Sequence, residues 1–350
     1  MIRLAINGFG RIGRNTYRAI LERGLDKELT PTGASGLEVV AVNDLTDAGT
    51  LAHLLKHDSV FRAFPGTITA EADAIVVEGK RIRVIAEKDP TKLPWKELKI
   101  DVVLECTGRY TKDGAARAHI TAGAKRVVIS APVKGAGDIK TFVLGVNDAS
   151  YTGEDVISNA SCTTNCVSPV TRVIHEAFGI ERAALTTIHA VTGEQNLIDG
   201  PPPGMKGGDL RRARAAYTNM VPTTSGATIA TTEAIPELKG KFDGLAIRVP
   251  IIDVSLSDFV FVVKRAVTKE EVNDAFRRAA EHSSYRGVLA VTDEPLVSSD
   301  FIKNPYSTVV DLPLTTVIDG TLVKVMAWYD NEWGYSCRLA EMAVEVGKGI

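Results

Sequence analysis

The sequence predicts an α/β chain: a doubly wound parallel sheet in the first half, then an α+β half built on a mostly antiparallel sheet. Three observations carry this. Up to Ser158, short β-branched runs alternate with helical stretches, the pattern of parallel strands joined by crossover helices. Beyond Cys162 the apolar runs lengthen and pair through tight turns, as at Asp319-Gly320 between 309–318 and 322–329. The chain has 350 residues, enough for two domains.

The first strand is 2–7. Gly8, Gly10 and Gly13 follow with the spacing G-x-G-x-x-G and open a helix that reaches about Arg23. A glycine triplet alone says little. This one has a strand before it, a helix after it and a second strand, 37–43, ending in Asp44. The glycines permit a tight turn and close backbone approach to a pyrophosphate resting on the helix N-terminus, and Asp44 would accept from ribose hydroxyls. That is the pattern of a Rossmann-type nucleotide domain. The Thr-, Pro- and Gly-rich loop 26–36 stretches the usual gap of about 20 residues before the acidic position. A carboxylate there repels a 2′-phosphate, which favours NAD over NADP. The reading continues with a helix over 45–57 and a hairpin, 74–77 with 81–85, turned at Glu78-Gly79-Lys80. A buried strand over 101–105, a helix over 113–124 and a strand over 126–130 complete this half. Thr107-Gly108 and Ser130 fall at strand ends, where such sheets bind ligands. An ordinary loop role would explain Ser130 as well.

Val156-Ile157, a polar turn and an apolar run over 167–178 read as strand, turn and helix, with Cys162 in the first helical turn. Unsatisfied N–H groups and the positive end of the helix dipole favour an anion there. The expectation is a thiol of lowered pKa that acts as a nucleophile. Ser161, Thr163, Thr164 and Asn165 add groups able to bind an oxyanion or phosphate. Most free cysteines are small buried hydrophobes; Cys166, one turn on beside Val167 and Pro169, fits that description. No His or second Cys pair lies nearby at zinc-site spacing, so no metal is expected. A strand over 183–189 ends in His189, whereas His53, His57, His119, His175 and His282 fall on predicted helices as solvated or packing positions. A long polar loop, 191–214, contains three consecutive prolines and Arg211, Arg212 and Arg214. Strands over 244–249 and 254–264 follow. A helix over 268–283 opens with Thr268 and Glu271, a capping box. The last helix, about 331–346, is expected to pack back on the first domain. The division is 1–161 for dinucleotide binding, 162–330 for catalysis and 331–350 for the returning helix.

The formal net charge of −2 gives no general attraction to nucleic acid or an anionic membrane. Four cysteines in a chain this long form no disulfide framework, which fits a reducing compartment. With no signal-peptide pattern and no apolar run of membrane-spanning length, a cytoplasmic location is expected.

A nucleotide-binding half followed by a helix-start cysteine is the layout of a dehydrogenase that works covalently. A thiolate adds to an aldehyde, and the hemithioacetal is oxidised to a thioester. His189 is the candidate base. The segments INGFGRIGRN, VAVNDLTD, SNASCTTNC, TTIHAVT, RRARAA, AIRVP and WYDNEWGYS together resemble the phosphorylating glyceraldehyde-3-phosphate dehydrogenase family over essentially the whole chain. The resemblance implies NAD-dependent oxidative phosphorylation of glyceraldehyde 3-phosphate to 1,3-bisphosphoglycerate in a homotetramer. It implies Cys162 as nucleophile and His189 as its activator. It assigns Arg11 and Ile12 to the pyrophosphate, Asp44 to the ribose, Lys88 and Ser130 to further cofactor contacts, and Asn331 to the nicotinamide carboxamide. Thr192, Arg212 and Arg248 match the substrate-phosphate site; Ser161, Thr163, Ser225 and Gly226 match the inorganic-phosphate site.

Three features depart from the family pattern. Ser225 replaces a usual threonine and keeps the hydroxyl, Glu194 replaces Asp or a neutral residue, and the loops 26–36 and 199–209 are longer than usual. The alternative within aldehyde chemistry is erythrose-4-phosphate dehydrogenase, which hydrolyses its thioester; TTIHAVT and Thr223-Thr224-Ser225-Gly226 favour phosphorolysis. A cysteine hydrolase would use Cys162, His189 and an asparagine but has no use for the glycine triplet with Asp44. A non-catalytic nucleotide-binding protein would show no NAD-sensitive alkylation of Cys162.

Overall fold

A computed structural model describes residues 1–28, 34–135, 138–202 and 208–350. The chain separates into two compact units, Met1–Phe142 with Ser150–Ala160 and Ser336–Ile350, and Val143–Ala149 with Ser161–Tyr335.

The first unit begins β1 (Ile2–Asn7), α1 (Arg11–Glu22), β2 (Leu37–Asn43) and α2 (Ala48–Lys56). Then come β3 (Ile68–Glu71), β4 (Ala74–Val77), β5 (Lys80–Ile85), β6 (Val102–Glu105), the short α3 (Ala118–Thr121), β7 (Arg126–Ile129) and β8 (Val156–Ser158). Their order in the sheet is β3-β4-β5-β2-β1-β6-β7-β8. From β5 to β8 every pairing is parallel; the β3–β4–β5 edge is antiparallel. The central strands are largely buried, Leu4, Ala5, Ile6, Val102, Val103 and Leu104 among them. This explains why they read as continuous apolar runs rather than alternating ones. The C-terminal segment belongs to this unit: Leu339, Ala340 and Ala343 are buried, and Glu341 accepts from Arg23 Nη2 at 2.5 Å.

The second unit contains α4 (Cys162–Phe178), β9 (Ile180–His189), β10 (Val221–Thr224), α5 (Ala227–Ala234), β11 (Phe242–Arg248), β12 (Ser255–Val263) and α6 (Lys269–Glu281). It continues with β13 (Leu289–Thr292), β14 (Thr308–Asp311), β15 (Thr316–Ile318) and β16 (Leu322–Tyr329), and α7 (Trp333–Gly347) starts within it. The strand order is β10-β11-β9-β12-β16-β14-β13, with β15 paired to β16. Only β9–β11 and β13–β14 are parallel. Along β12, Ser255, Ser257, Phe259 and Phe261 are buried while Leu256, Asp258, Val260 and Val262 remain half-exposed. The buried row faces α4, whose Val167, Val170 and Ile174 are sealed from solvent.

Most elements stand where the sequence puts them, and the Thr268–Glu271 capping box forms. Three readings change. The expected helix over 113–124 shrinks to a 3-10 turn at Ala115–Arg117 and four α-helical residues. Gly114 sits in the left-handed region, and Asp113 N–H donates to Lys134 O, so the chain there is tied laterally instead of coiling. The expected strand over 309–318 is broken by a 3-10 turn, Leu312–Leu314, because Pro313 has no N–H for a ladder. Strands β3, β10 and β13 and helix α5, absent from the sequence reading, are short elements. Parts of the loops 26–36 and 199–209, residues 29–33 and 203–207, lie outside the described residues.

Candidate active site

The nucleotide-side site is built at the C-terminal ends of β1 and β2. Gly8 has φ +92, and a Cβ there would stand 2.7 Å from Thr107 N and 2.8 Å from Cys106 C. A Cβ on Gly13 would lie 2.3 Å from Gly8 O, so the helix can seat closely only without one. Around Gly10, by contrast, no atom lies within 4 Å of a built Cβ. Gly10 caps α1 with no side-chain bond, leaving an uncapped helix start facing open space. Asp44 Oδ2 accepts from Phe9 N at 2.8 Å, which fixes the carboxylate and leaves Oδ1 for a ligand hydroxyl. Gly8, Gly10, Asp44 and Lys88 line one cavity of about 300 Å³. A glycine cradle, a bare helix N-terminus and an anchored acceptor suit a dinucleotide. Arg11 has its side chain paired with Asp58, and Ser130 is half-buried at the end of β7.

Beneath this cavity lies a network that the sequence reading missed. Glu105 and His119 have no exposed side-chain surface and meet at 2.9 Å. Trp95 Nε1 donates to His119 Nδ1 at 3.0 Å, so the ring proton sits on Nε2 and points at Glu105. Asn7 Nδ2 donates to Glu105 Oε2 at 2.5 Å, and Thr107 N to Glu105 Oε1 at 2.8 Å. Thus His119 is a packing position, as expected, and specifically the clamp of a buried carboxylate. The other helical histidines are local: His175 Nδ1 accepts from Ile180 N, and His282 Nδ1 from Ser284 N.

In the second unit, Ser161 caps α4 and accepts from Thr164 N at 3.1 Å. Cys162 is therefore the first helical residue, as read from sequence. His189 ends β9, and its Nε2 lies 3.5 Å from Cys162 Sγ. Arg248 is the register partner of His189 across the β9–β11 pairing. Its Nη1 reaches His189 Nδ1 at 2.5 Å, while Nδ1 also lies 2.7 Å from Ala190 O.

The electrostatics correct one expectation. Burial raises the Cys162 thiol above its ordinary value; Arg248 and hydrogen bonds at the helix start pull it down but do not win. His189 is pulled down to about 3, first by burial and then by Arg248. The resting pair is therefore neutral, a thiol beside an unprotonated imidazole, where a lowered thiol pKa was expected. The sequence reading counted the helix start and left out desolvation, which here is the larger effect. Cys166 is raised to about 12 by burial and reaches Thr308 Oγ1 at 3.4 Å, the inert neighbour expected.

Tyr329, not singled out from sequence, supports this site. Its hydroxyl lies 3.1 Å from Thr163 Oγ1 and 2.8 Å from Thr187 Oγ1, and its ring stands edge-on to His189. The period-2 pattern of β16 put it on the buried face, so the signal was present. Thr163 consequently spends its hydroxyl on Tyr329. Ser225 and Gly226 precede α5, and Ser225 Oγ accepts from Ala227 N at 3.3 Å at its start. Arg212 donates from Nε to Thr223 Oγ1 at 2.9 Å and from Nη1 to Glu194 Oε1 at 2.7 Å. Thr192 Oγ1 and Arg248 Nε are buried with no partner. Such unspent capacity points to a bound group. Asn331 is buried and its Oδ1 accepts from Ser255 Oγ at 2.7 Å, leaving its NH₂ group available.

The chain matches known proteins along its length. Residues 2–113 match the model described as glyceraldehyde 3-phosphate dehydrogenase, NAD binding domain, and residues 161–331 match its C-terminal domain. Glyceraldehyde-3-phosphate dehydrogenase 2 of Streptomyces avermitilis is 50% identical over 351 residues, covering 100% of this chain and 99% of the relative. The Zymomonas mobilis enzyme is 49% identical over 350 residues and the Geobacillus stearothermophilus enzyme 49% over 352, each with 100% of this chain and 99% of the relative covered. With both halves matched and half of all positions shared end to end, the chain belongs to the glyceraldehyde-3-phosphate dehydrogenase family and uses NAD.

Proposed function

We propose that this chain carries out the NAD-dependent oxidative phosphorylation of D-glyceraldehyde 3-phosphate with Cys162 as nucleophile and His189 as base. The observation that carries the residue assignment is the 3.5 Å approach of Cys162 Sγ to His189 Nε2 at the start of α4. Because both groups are neutral at rest, the thiol proton passes to Nε2 as sulfur bonds to the aldehyde carbon. The developing oxyanion is met by N–H groups of the α4 start. His189 returns the proton to give the hemithioacetal hydroxyl and removes it again as the carbon is oxidised, leaving a thioester on Cys162. NAD, when bound, accepts the hydride. An inorganic phosphate oxygen then attacks the thioester carbonyl, the C–S bond breaks, and 1,3-bisphosphoglycerate leaves with the thiolate reprotonated.

Gly8, Gly10, Arg11, Ile12, Gly13 and Asp44 would hold the dinucleotide, with Lys88, Ser130 and Asn331 as further contacts. Thr192, Arg212 and Arg248 would take the substrate phosphate, arginine supplying forked hydrogen bonds. Ser161, Thr163, Ser225 and Gly226 would take inorganic phosphate, Thr163 through its backbone. We assign residues 1–161 to cofactor binding and 162–330 to catalysis, with 331–350 returning to the first domain. A homotetramer is supported by apolar side chains left open on the second unit, including Leu197, Ile198, Leu210, Met220 and Ile229. Among the described residues no helix is long and apolar enough to cross a membrane; a cytoplasmic place remains part of this proposal. The test is NADH formation with and without inorganic phosphate or arsenate, with NADP and erythrose 4-phosphate in parallel. Full-rate turnover without phosphate, or preference for the four-carbon sugar, overturns the assignment in favour of the hydrolytic relative.

A further inference from the structure

His189 Nδ1 faces two partners that it cannot satisfy at once. Ala190 O, at 2.7 Å, requires a proton on Nδ1. Arg248 Nη1, at 2.5 Å, is a donor only and requires a lone pair there. A neutral imidazole carries one proton, and the choice decides what Nε2 offers Cys162 3.5 Å away. With Nδ1 given to Ala190, Nε2 has a lone pair and can take the thiol proton. With Nδ1 given to Arg248, Nε2 carries the proton and the base is blocked. From this geometry we propose that Arg248 is a latch on the tautomer of His189, released when the phosphate group of the substrate draws the guanidinium away. Arg248 acts here as a positioning residue, and the inference rests on the reading of Cys162 and His189 given above.

The molecule supplies the pull. Arg248 Nε is buried with no partner, and so is Thr192 Oγ1, so the latch holds its guanidinium by one edge and leaves donors for an anion. Arg248 also donates from Nη1 to Ala190 O at 3.3 Å, sharing the acceptor that Nδ1–H uses. Its departure leaves that oxygen to Nδ1–H and removes the donor from the Nδ1 lone pair. One proton then joins Nδ1 from water and one leaves Nε2 to water, with no net change. The charged and titratable groups around the ring are Cys162 from α4, Arg248 from β11, Arg212 from the loop before β10, and Tyr329 from β16. No carboxylate is among the groups acting on the ring; Glu194, bonded to Arg212, attracts Arg248 only through space and leaves its Nε unpaired for an incoming anion.

The test is alkylation of Cys162 by iodoacetamide, a neutral reagent, with and without glycerol 3-phosphate, which carries the phosphate and no aldehyde. Simple Coulomb effects point the other way: a dianion near the sulfur disfavours the thiolate, and loss of the Arg248 charge does the same. The latch gives the opposite sign in both cases. Glycerol 3-phosphate should speed alkylation by roughly tenfold or more, up to the ~10²–10⁴ that a positioned base contributes. Arg248→Met should alkylate faster than wild type without the ligand and no longer respond to it. The ¹⁵N shift of His189 Nδ1 in labelled enzyme should move from the unprotonated to the protonated range on adding the ligand. NAD binding reports whether Arg248→Met is folded; if it is not, the wild-type response and the shift still decide. Slower or unchanged alkylation of the wild type with the ligand overturns the latch. If a burst of NADH equal to the Cys162 content persists meanwhile, the catalytic reading stands and only the latch fails.

Discussion

The hydroxyl of Tyr329 lies 3.1 Å from Thr163 Oγ1 and 2.8 Å from Thr187 Oγ1, so one buried phenol ties the first turn of α4 to the strand that ends in His189. Tyr329→Phe keeps the ring and removes the tie. Two buried threonine hydroxyls then lose a partner, at a cost of about 1–3 kcal/mol. We expect a thermal midpoint lowered by several degrees and slower alkylation of Cys162 at unchanged NAD affinity. Alkylation at the wild-type rate would show that the 3.5 Å approach does not depend on this tie.

A second expectation concerns Asp253 and Asp330, each about 1% exposed. Asp330 accepts from the N–H groups of Lys303, Glu332 and Trp333, whereas Asp253 accepts no hydrogen bond of good geometry and feels just the Val254 N–H. Burial, then the Asp330 charge, pushes Asp253 up to about 9; burial pushes Asp330 up to about 6. At neutral pH Asp253 keeps its proton and donates it to Asp330. The folded state therefore binds more protons than the unfolded state between about pH 4, the free carboxyl value, and about 9. Stability should fall as pH rises through that window. Asp253→Asn, which mimics the protonated form, should flatten the fall and be more stable than wild type at pH 8–9. Denaturant titrations across pH check this, and parallel curves for the two proteins would remove Asp253 from the effect.

Glu194 holds Arg212 Nη1 at 2.7 Å and would compete for it with a substrate phosphate bound as proposed. Glu194→Gln should lower KM for the aldehyde phosphate several-fold at low salt and leave kcat nearly unchanged. The gain should shrink as ionic strength rises, because Glu194 is half exposed and screened. Initial-rate measurements at two salt concentrations check it; an unchanged or higher KM would mean that Glu194 helps to orient Arg212.

Asp44 bears on cofactor choice. Its carboxylate is pinned by Phe9 N–H and, with the cofactor held as proposed, would stand where a 2′-phosphate needs room and positive charge. Asp44→Ser should weaken NAD binding and raise kcat/KM with NADP. If the ratio of the two cofactors does not move, discrimination lies elsewhere in the pocket.

Much of this molecule was legible in the chain. The glycine turn, Asp44, the helix-start cysteine and the strand-end histidine are local patterns with local causes, and the structure shows Cys162 and His189 brought together. What was not legible depends on who meets whom across strands. Arg248 touches His189 because β9 and β11 pair in parallel register, and no spacing in the sequence reveals that register. The pairing of Glu105 with His119 is of the same kind. The thiol pKa was misjudged because helix position can be read from sequence while desolvation cannot. Gly114 was visible, but its left-handed turn only shortened a helix once the contact with Lys134 was known.

The central claim is that oxidation and phosphorolysis are separate steps joined by a thioester on Cys162. Mixing enzyme, NAD and glyceraldehyde 3-phosphate in phosphate-free buffer and following NADH on the millisecond scale tests it most directly. The expected result is a burst of one NADH per active chain, then near arrest, with turnover restored by phosphate and no burst in Cys162→Ser. A burst that survives in Cys162→Ser, or steady full-rate NADH formation without phosphate, would contradict it.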